Sequence, residues 1–207
     1  DYSARVVDTV CELLGKEDAI YLPSGTMCNQ IAFRVHCSPG DEIIMDTTGH
    51  TRHYETGGPA ALSGATIYPL AGNRGVFTAR QLEAAIRSPS NYFPRSRVVL
   101  VEQTSNLGGG SIWPLETIDE VCAVAENHGL ARHMDGARLF NAVVATGIPA
   151  GIWAIDSSES MPFSAVAFTG TPITGRIMPR GWTIASAAPS SSRPARRLPA
   201  ISAPGRS

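Results

Sequence analysis

Two blocks of residues in this chain carry groups whose types and spacing could do chemistry. The first is Leu22-Pro23-Ser24-Gly25-Thr26-Met27-Cys28-Asn29, a small-residue turn between a short apolar run and a helical pattern. Backbone N–H groups at a helix start point outward without partners, and the helix dipole is positive there. Gly25 lets the backbone approach a ligand closely, and Ser24 and Thr26 add hydroxyl donors, so a phosphate would fit. The same residues also suit an ordinary N-capped strand-to-helix turn. The second block is His133-Met134-Asp135-Gly136-Ala137-Arg138, at the end of a predicted strand. Ligands of open α/β sheets sit beyond the carboxyl ends of the strands. Asp135 could there pair with a protonated ring nitrogen, and Arg138 lies three residues on. The plainer reading is a surface ion pair at a loop, which would contribute little.

An aspartate beside a pyridinium is how a protein tunes pyridoxal phosphate as an electron sink. Two weaker blocks accompany the first pair. In Gly49-His50-Thr51-Arg52-His53-Tyr54-Glu55, an imidazole could stack on a flat ring or move a proton, although polar surface loops also contain histidine. Glu102-Gln103-Thr104-Ser105-Asn106-Leu107-Gly108-Gly109-Gly110 again follows a strand, and its glycines could cradle an anion. No GxGxxG opens a helix after a strand, so a dinucleotide site has little support.

The elements that must position these blocks alternate. Val6, Val7, Val10, Leu13 and Leu14 share a helical face, and Gly15 stops that helix. Ala19 to Leu22 is a short apolar strand, with a helix from Thr26 toward Val35. Further strands are expected at Glu42–Met45, Thr66–Leu70, Val98–Glu102 and Leu130–Met134. Thr78 caps a helix running through Ile86, and another helix spans Leu115 to His128. This order predicts an α/β fold with a mostly parallel sheet and helices on its faces.

The chain has 207 residues, enough for one or two domains with a sizeable core. Its net charge of −1 gives no pull toward nucleic acid or anionic membrane, so the expected partners are a small molecule and further copies of the chain. No apolar run reaches membrane-spanning length and no signal peptide opens the chain, which makes the cytoplasm the expected location. Cys11, Cys28, Cys37 and Cys122 form no CxxC pair and are read as buried free thiols; no metal site is expected.

Residues 1–150 read as this α/β unit, and residues 151–207 as an aberrant or disordered tail. From 160 onward there is no Asp, Glu or Lys, every charge is an arginine, and seven of the 15 prolines occur. No strand or helix period persists there. A natural basic tail and a reading frame lost near residue 150 of a GC-rich gene both account for that composition.

Taken in order, the blocks resemble the threonine aldolases and related β-eliminating lyases, which have the aspartate-aminotransferase-like fold. The resemblance rests on Leu14-Gly15-Lys16-Glu17, Pro23 to Asn29, His50 with Tyr54-Glu55 and Gly57-Gly58, Glu102-Gln103-Thr104 with the triple glycine, and His133 through Ala142. It covers about residues 5–150 and implies a partial large domain of a pyridoxal-5'-phosphate-dependent transferase-like fold, followed by an irregular C-terminal tail. It implies that Ser24, Gly25 and Thr26 bind cofactor phosphate, that His50 stacks on the ring near the substrate, and that Asp135 partners the pyridine nitrogen. Arg138 would lie beside cofactor and substrate. His50 and Arg138 are thus the catalytic candidates, and the implied reaction cleaves a β-hydroxy-α-amino acid to glycine and an aldehyde in a homo-oligomeric enzyme.

Three departures from the family pattern stand out. Ser105 replaces a usual histidine after the Glu-x-Thr block, which would alter the side-chain preference. The family's opening segment is missing before Asp1. The Schiff-base lysine, expected some tens of residues after Arg138 in a Ser-Lys-Gly-type stretch, is absent: the single lysine is Lys16, in the helix-ending turn. This polypeptide is therefore expected to have negligible aldolase activity and to be poorly soluble or oligomeric. Two other readings are a non-catalytic cofactor-binding remnant and a β-eliminating lyase of the same fold.

Overall fold

The structure, a computed structural model, describes residues 2–16 and 18–154 together with the backbone of 165–169 and 183–187. Among the described residues seven strands form one sheet: β1 Ile20–Leu22, β2 Asp41–Asp46, β3 Thr66–Leu70, β4 Arg95–Glu102, β5 Ala131–Asp135, β6 Ala165–Thr169 and β7 Thr183–Ala187. Their order across the sheet is β1-β7-β6-β5-β4-β2-β3. From β3 to β6 all pairings are parallel, while β7 runs antiparallel to both β6 and β1. The mostly parallel α/β sheet expected from the sequence is present.

The helices are α1 Tyr2–Leu14, α2 Gly25–His36, α3 His50–Tyr54, α4 Ala79–Ala85, α5 Leu115–Asn127, α6 Leu139–Thr146 and α7 Ala150–Ala154, with a π-helical turn at Pro59–Ser63. Thr78 closes a capping box on α4: its hydroxyl accepts from the Gln81 N–H, and the Gln81 side chain accepts from the Thr78 N–H. Gly15 and Gly147 end α1 and α6 in the left-handed region, at φ 63° and 74°, where a side chain would be strained.

Parallel strands covered on both faces should be apolar throughout. Val98, Val99, Leu100 and Val101 are indeed all buried. Side chains alternate across the sheet. Ile44, Val99, Val101 and Met134 enter a large core with Val10, Leu14, Leu82, Ile118 and Trp153. Ile43, Met45, Val98 and Leu100 meet Phe33 and Cys37 of α2 and its cap on the other face. Phe77 and Trp113 pack edge to face in the larger core, with centroids 4.8 Å apart.

Several sequence expectations shift. Leu13, placed on the inner face of α1, is 48% exposed, whereas Val10 and Leu14 are buried. β4 starts at Arg95, three residues before the apolar run, because Arg95 and Ser96 already pair with β2. Residues 165–169 and 183–187, within the stretch where no strand period was found, pair as β6 and β7. The rest of the expected tail from 155 onward lies outside the described residues. Among the described residues no helix is long and apolar enough to cross a membrane. All four cysteines are free; Cys28, Cys37 and Cys122 are buried and Cys11 is partly exposed.

Candidate functional site

β4 and β5 are paired so that Glu102 lies opposite Asp135 at their carboxyl ends. The parallel arrangement therefore delivers two buried carboxylates to one edge of the sheet. A third, Glu55, arrives from the end of α3 and is 3% exposed. The start of α2 supplies the other wall. Gly25, Thr26, Asn29, His50, Glu55, Glu102, Asp135, Ala137 and Arg138 line one pocket of about 210 Å³.

Five of the six cofactor candidates, Gly25, Thr26, His50, Asp135 and Arg138, meet there. Ser24 stands beside it as the N-cap of α2, its hydroxyl accepting from the Met27 N–H at 3.1 Å. Gly25 and Thr26, the first residues of α2, line the pocket, where the helix dipole favours an anion.

Asn29 joins the carboxylates. Its Nδ2 donates to Glu55 Oε1 at 2.8 Å and to Asp135 Oδ2 at 2.9 Å. Gln30 Nε2 donates to Glu55 Oε2 at 2.6 Å. Asp135 Oδ1 accepts from the Ala137 N–H at 3.1 Å. His50 Nδ1 lies 3.1 Å from Glu55 Oε1. With a carboxylate as its partner, Nδ1 carries a hydrogen, and in the neutral ring Nε2 is then the acceptor. The imidazole also lies 5.3 Å from the Tyr54 ring, at 40°.

Glu102 accepts from the His50 N–H and the Asn106 N–H, both at 3.1 Å, and Arg138 Nη1 approaches it to 3.7 Å. Burial, and then the charge of Asp135, push the Glu102 carboxyl above its ordinary value against those donors and Arg138. Three buried carboxylates thus face one guanidinium. This charge balance favours a ligand that brings its own N–H⁺ to the Asp135 end and an anionic group to the α2 end.

His50, Glu55 and Asp135 offer ligand atoms within 4.8 Å of one another. The Asn29 amide already bonds both carboxylates, so a cation there would have to displace it. Burial, followed by the charges of Asp135 and Glu55, drives the Cys28 thiol up to about 12, which leaves it protonated and unreactive beside the pocket.

Ser105 does not line the pocket. It is 1% exposed, and its hydroxyl accepts from the Gly108 N–H at 3.2 Å. A Cβ on Gly75 would fall 2.0 Å from the Ser105 Oγ, so the serine fills a tight contact with the 73–75 turn. Lys16 does not line the pocket either. A larger depression of about 410 Å³ lies at the amino ends of β4 and β5, lined in part by Arg87, Arg95 and Arg97. Arg87 and Arg95 there are paired with Glu42 and Asp41, and Arg97 donates to the His36 and Gly129 carbonyls.

The sequence blocks contained Asn29, Glu55 and Glu102 but gave them no role in the pocket, and Gln30, which holds Glu55, lay outside every block. A signal for two of these was present. Asn29 and Gln30 fall between Cys28 and Ala32–Phe33, on the face of α2 that the helical period turns inward.

Comparison with known proteins agrees with this geometry. The family model described as beta-eliminating lyase matches residues 2–178, past the limit of about 150 read from the motifs. The chain is 40% identical over 149 residues to a probable low-specificity L-threonine aldolase 2 of Arabidopsis thaliana, covering 70% of this chain and 42% of that one. It is 37% identical over 141 residues to the low specificity L-threonine aldolase of Escherichia coli K12, covering 68% and 41%. The chain therefore spans about two fifths of the length of these curated relatives. Among solved structures, a Leishmania major threonine aldolase superposes with a TM-score of 0.75 at 22% identity, covering 89% of this chain and 52% of the other. A Sphingomonas wittichii serine palmitoyltransferase shares the fold at a TM-score of 0.61 and 21% identity, covering 89% and 41%. With the family model matched over most of its length and its charged residues gathered at the carboxyl edge of a parallel sheet, the chain belongs to the beta-eliminating lyase family.

Proposed function

We propose that this chain carries the cofactor pocket of a pyridoxal-5'-phosphate-dependent aldehyde-lyase of the threonine aldolase type, which cleaves a β-hydroxy-α-amino acid to glycine and an aldehyde. The observation that supports this most is the meeting of three features in one 210 Å³ pocket: the start of α2, the Asp135 carboxylate, and the His50 imidazole. A phosphorylated pyridine needs an anion cradle, an acid for its ring nitrogen and a flat neighbour, and the donor set fits it. The cofactor, when bound, supplies the electron sink that the protein's side chains lack.

The chain's own residues then have separable tasks. Gly25 and Thr26 present the α2 amides to the phosphate. Asp135 holds the ring N–H. His50, with Nδ1 tied to Glu55, offers Nε2 to take the β-hydroxyl proton. Arg138 supplies a cation for an anionic group of the substrate or cofactor, and Glu102 tethers it. The homo-oligomeric assembly that the family implies is carried over with this reading.

The only lysine, Lys16, is outside the pocket, so this polypeptide has no covalent anchor for the cofactor there. That observation favours a cofactor-binding but non-catalytic chain over a competent lyase. The test is incubation of the purified chain with pyridoxal phosphate and L-threonine, with acetaldehyde and glycine measured. The expected rate equals that of pyridoxal phosphate alone. Robust turnover would overturn the inactive reading, and glycine-free β-elimination products would replace the aldolase assignment.

A further inference from the structure

We infer that Asn29 and His133 form a positioning pair that fixes the carboxylate of Asp135; this rests on the reading of the pocket as a pyridoxal phosphate site. His133 is fully buried on β5, two residues before Asp135 on the same side of the strand. Its Nε2 lies 2.8 Å from Asn29 Oδ1. The amide can take only one orientation. Turned over, Asn29 would aim its oxygen at Glu55 Oε1 and Asp135 Oδ2, three acceptors together with no hydrogen between them. Asn29 Oδ1 therefore faces His133, and His133 must carry its hydrogen on Nε2.

The imidazole thus locks the amide, and the amide locks two carboxylates. Oδ2 of Asp135 is held by Asn29 and Oδ1 by the Ala137 N–H, so the carboxylate plane is fixed from both sides. An edge-on contact between His133 and Phe33, with centroids 5.5 Å apart at 78°, keeps the imidazole from turning. The same Asn29 nitrogen reaches Glu55, the partner of His50. One side chain accordingly sets the acid for the ring nitrogen and the orientation of the proton acceptor.

The probe is pyridoxamine 5'-phosphate, which has the same ring nitrogen and phosphate and needs no lysine. It is titrated into the full chain by absorbance, and the pH at which the bound ring nitrogen loses its proton is read from the spectrum. Asn29→Leu keeps the approximate size of the side chain and adds no charge, but has no amide to donate to Asp135. It is expected to weaken binding at least tenfold and to lower the pH of ring deprotonation. His133→Phe retains the edge contact with Phe33 but not the donor, and is expected to move both readouts the same way by less. A purely structural role would lower the melting temperature and leave the ring titration in place. If Asn29→Leu does not fold, His133→Phe decides. Parent-like affinity and ring titration in the folded variants would overturn the positioning role, while loss of binding in Asp135→Asn would still uphold the pocket. If the parent chain does not bind the probe, the pocket reading falls and the positioning role falls with it.

Discussion

Replacing Glu55 by alanine removes the acceptor on which Asn29, Gln30 and His50 converge. The cost can be worked group by group. Asn29 keeps a partner in Asp135, and His50, whose side chain is 33% exposed, can turn to water. Gln30 cannot, since it is 6% exposed and its Oε1 already lacks a partner. A hydrogen bond to a charged acceptor contributes about 1.5–3 kcal/mol, and an orphaned buried donor costs about 1–3 kcal/mol. Relief of the repulsion between Glu55 and Asp135 offsets part of this, and the void left by the side chain adds to it. The sum is about 2–5 kcal/mol. At about 2–4 °C per kcal/mol for a chain of this size, the melting temperature should fall by about 4–20 °C. Glu55→Gln retains the volume but turns an N–H₂ group toward existing donors, so a smaller fall is expected. Thermal melts by circular dichroism at pH 7.5 provide the assay. A Glu55→Ala chain that melts within about 1 °C of the parent would refute the view that this carboxylate organises the pocket.

Three other outcomes follow from the same structure. Gly58→Ala would place a Cβ 2.5 Å from the Gln30 carboxamide carbon, driving Gln30 off Glu55; the variant should melt below the parent and bind pyridoxamine 5'-phosphate more weakly. Burial would raise the Asp41 carboxyl, but its bidentate contact with Arg95 and the Ser38 N–H hold it below the ordinary value. A depressed carboxyl gives stability that is present above its unfolded pKa, about 3.9, and is lost as pH falls through the folded value. Arg95→Ala should therefore move the acid-unfolding midpoint to higher pH, by a modest amount because the Arg95 side chain is 64% exposed. Cys28, buried and with its thiol pushed up to about 12, should resist iodoacetamide at pH 8 in the folded chain and react after denaturation, as read by mass spectrometry.

The fold was legible where a period or a run survives in local sequence. Val98 to Val101 announces a strand, and Thr78 announces a helix start as its N-cap. The short α3 and α7 have five residues each, too few to show a helical period. The rim of the pocket was legible because phosphate cradles and ring-nitrogen acids need particular residue types at strand ends and helix starts. The bonds among Asn29, Glu55 and Asp135 were not, because the partners are distant in sequence: Asn29 reaches Asp135 across 106 positions and Glu55 across 26. Ser105, next to a motif, also packs against Gly75, a contact that no local pattern announces.

The most direct test of the account is equilibrium titration of the purified chain with pyridoxal 5'-phosphate, followed by borohydride reduction and mass mapping, in parallel with Asp135→Ala. The account predicts saturable binding that Asp135→Ala abolishes, with no reduced adduct on any residue lining the pocket. Equal binding by the parent and Asp135→Ala, or a reduced cofactor attached within the pocket, would contradict it.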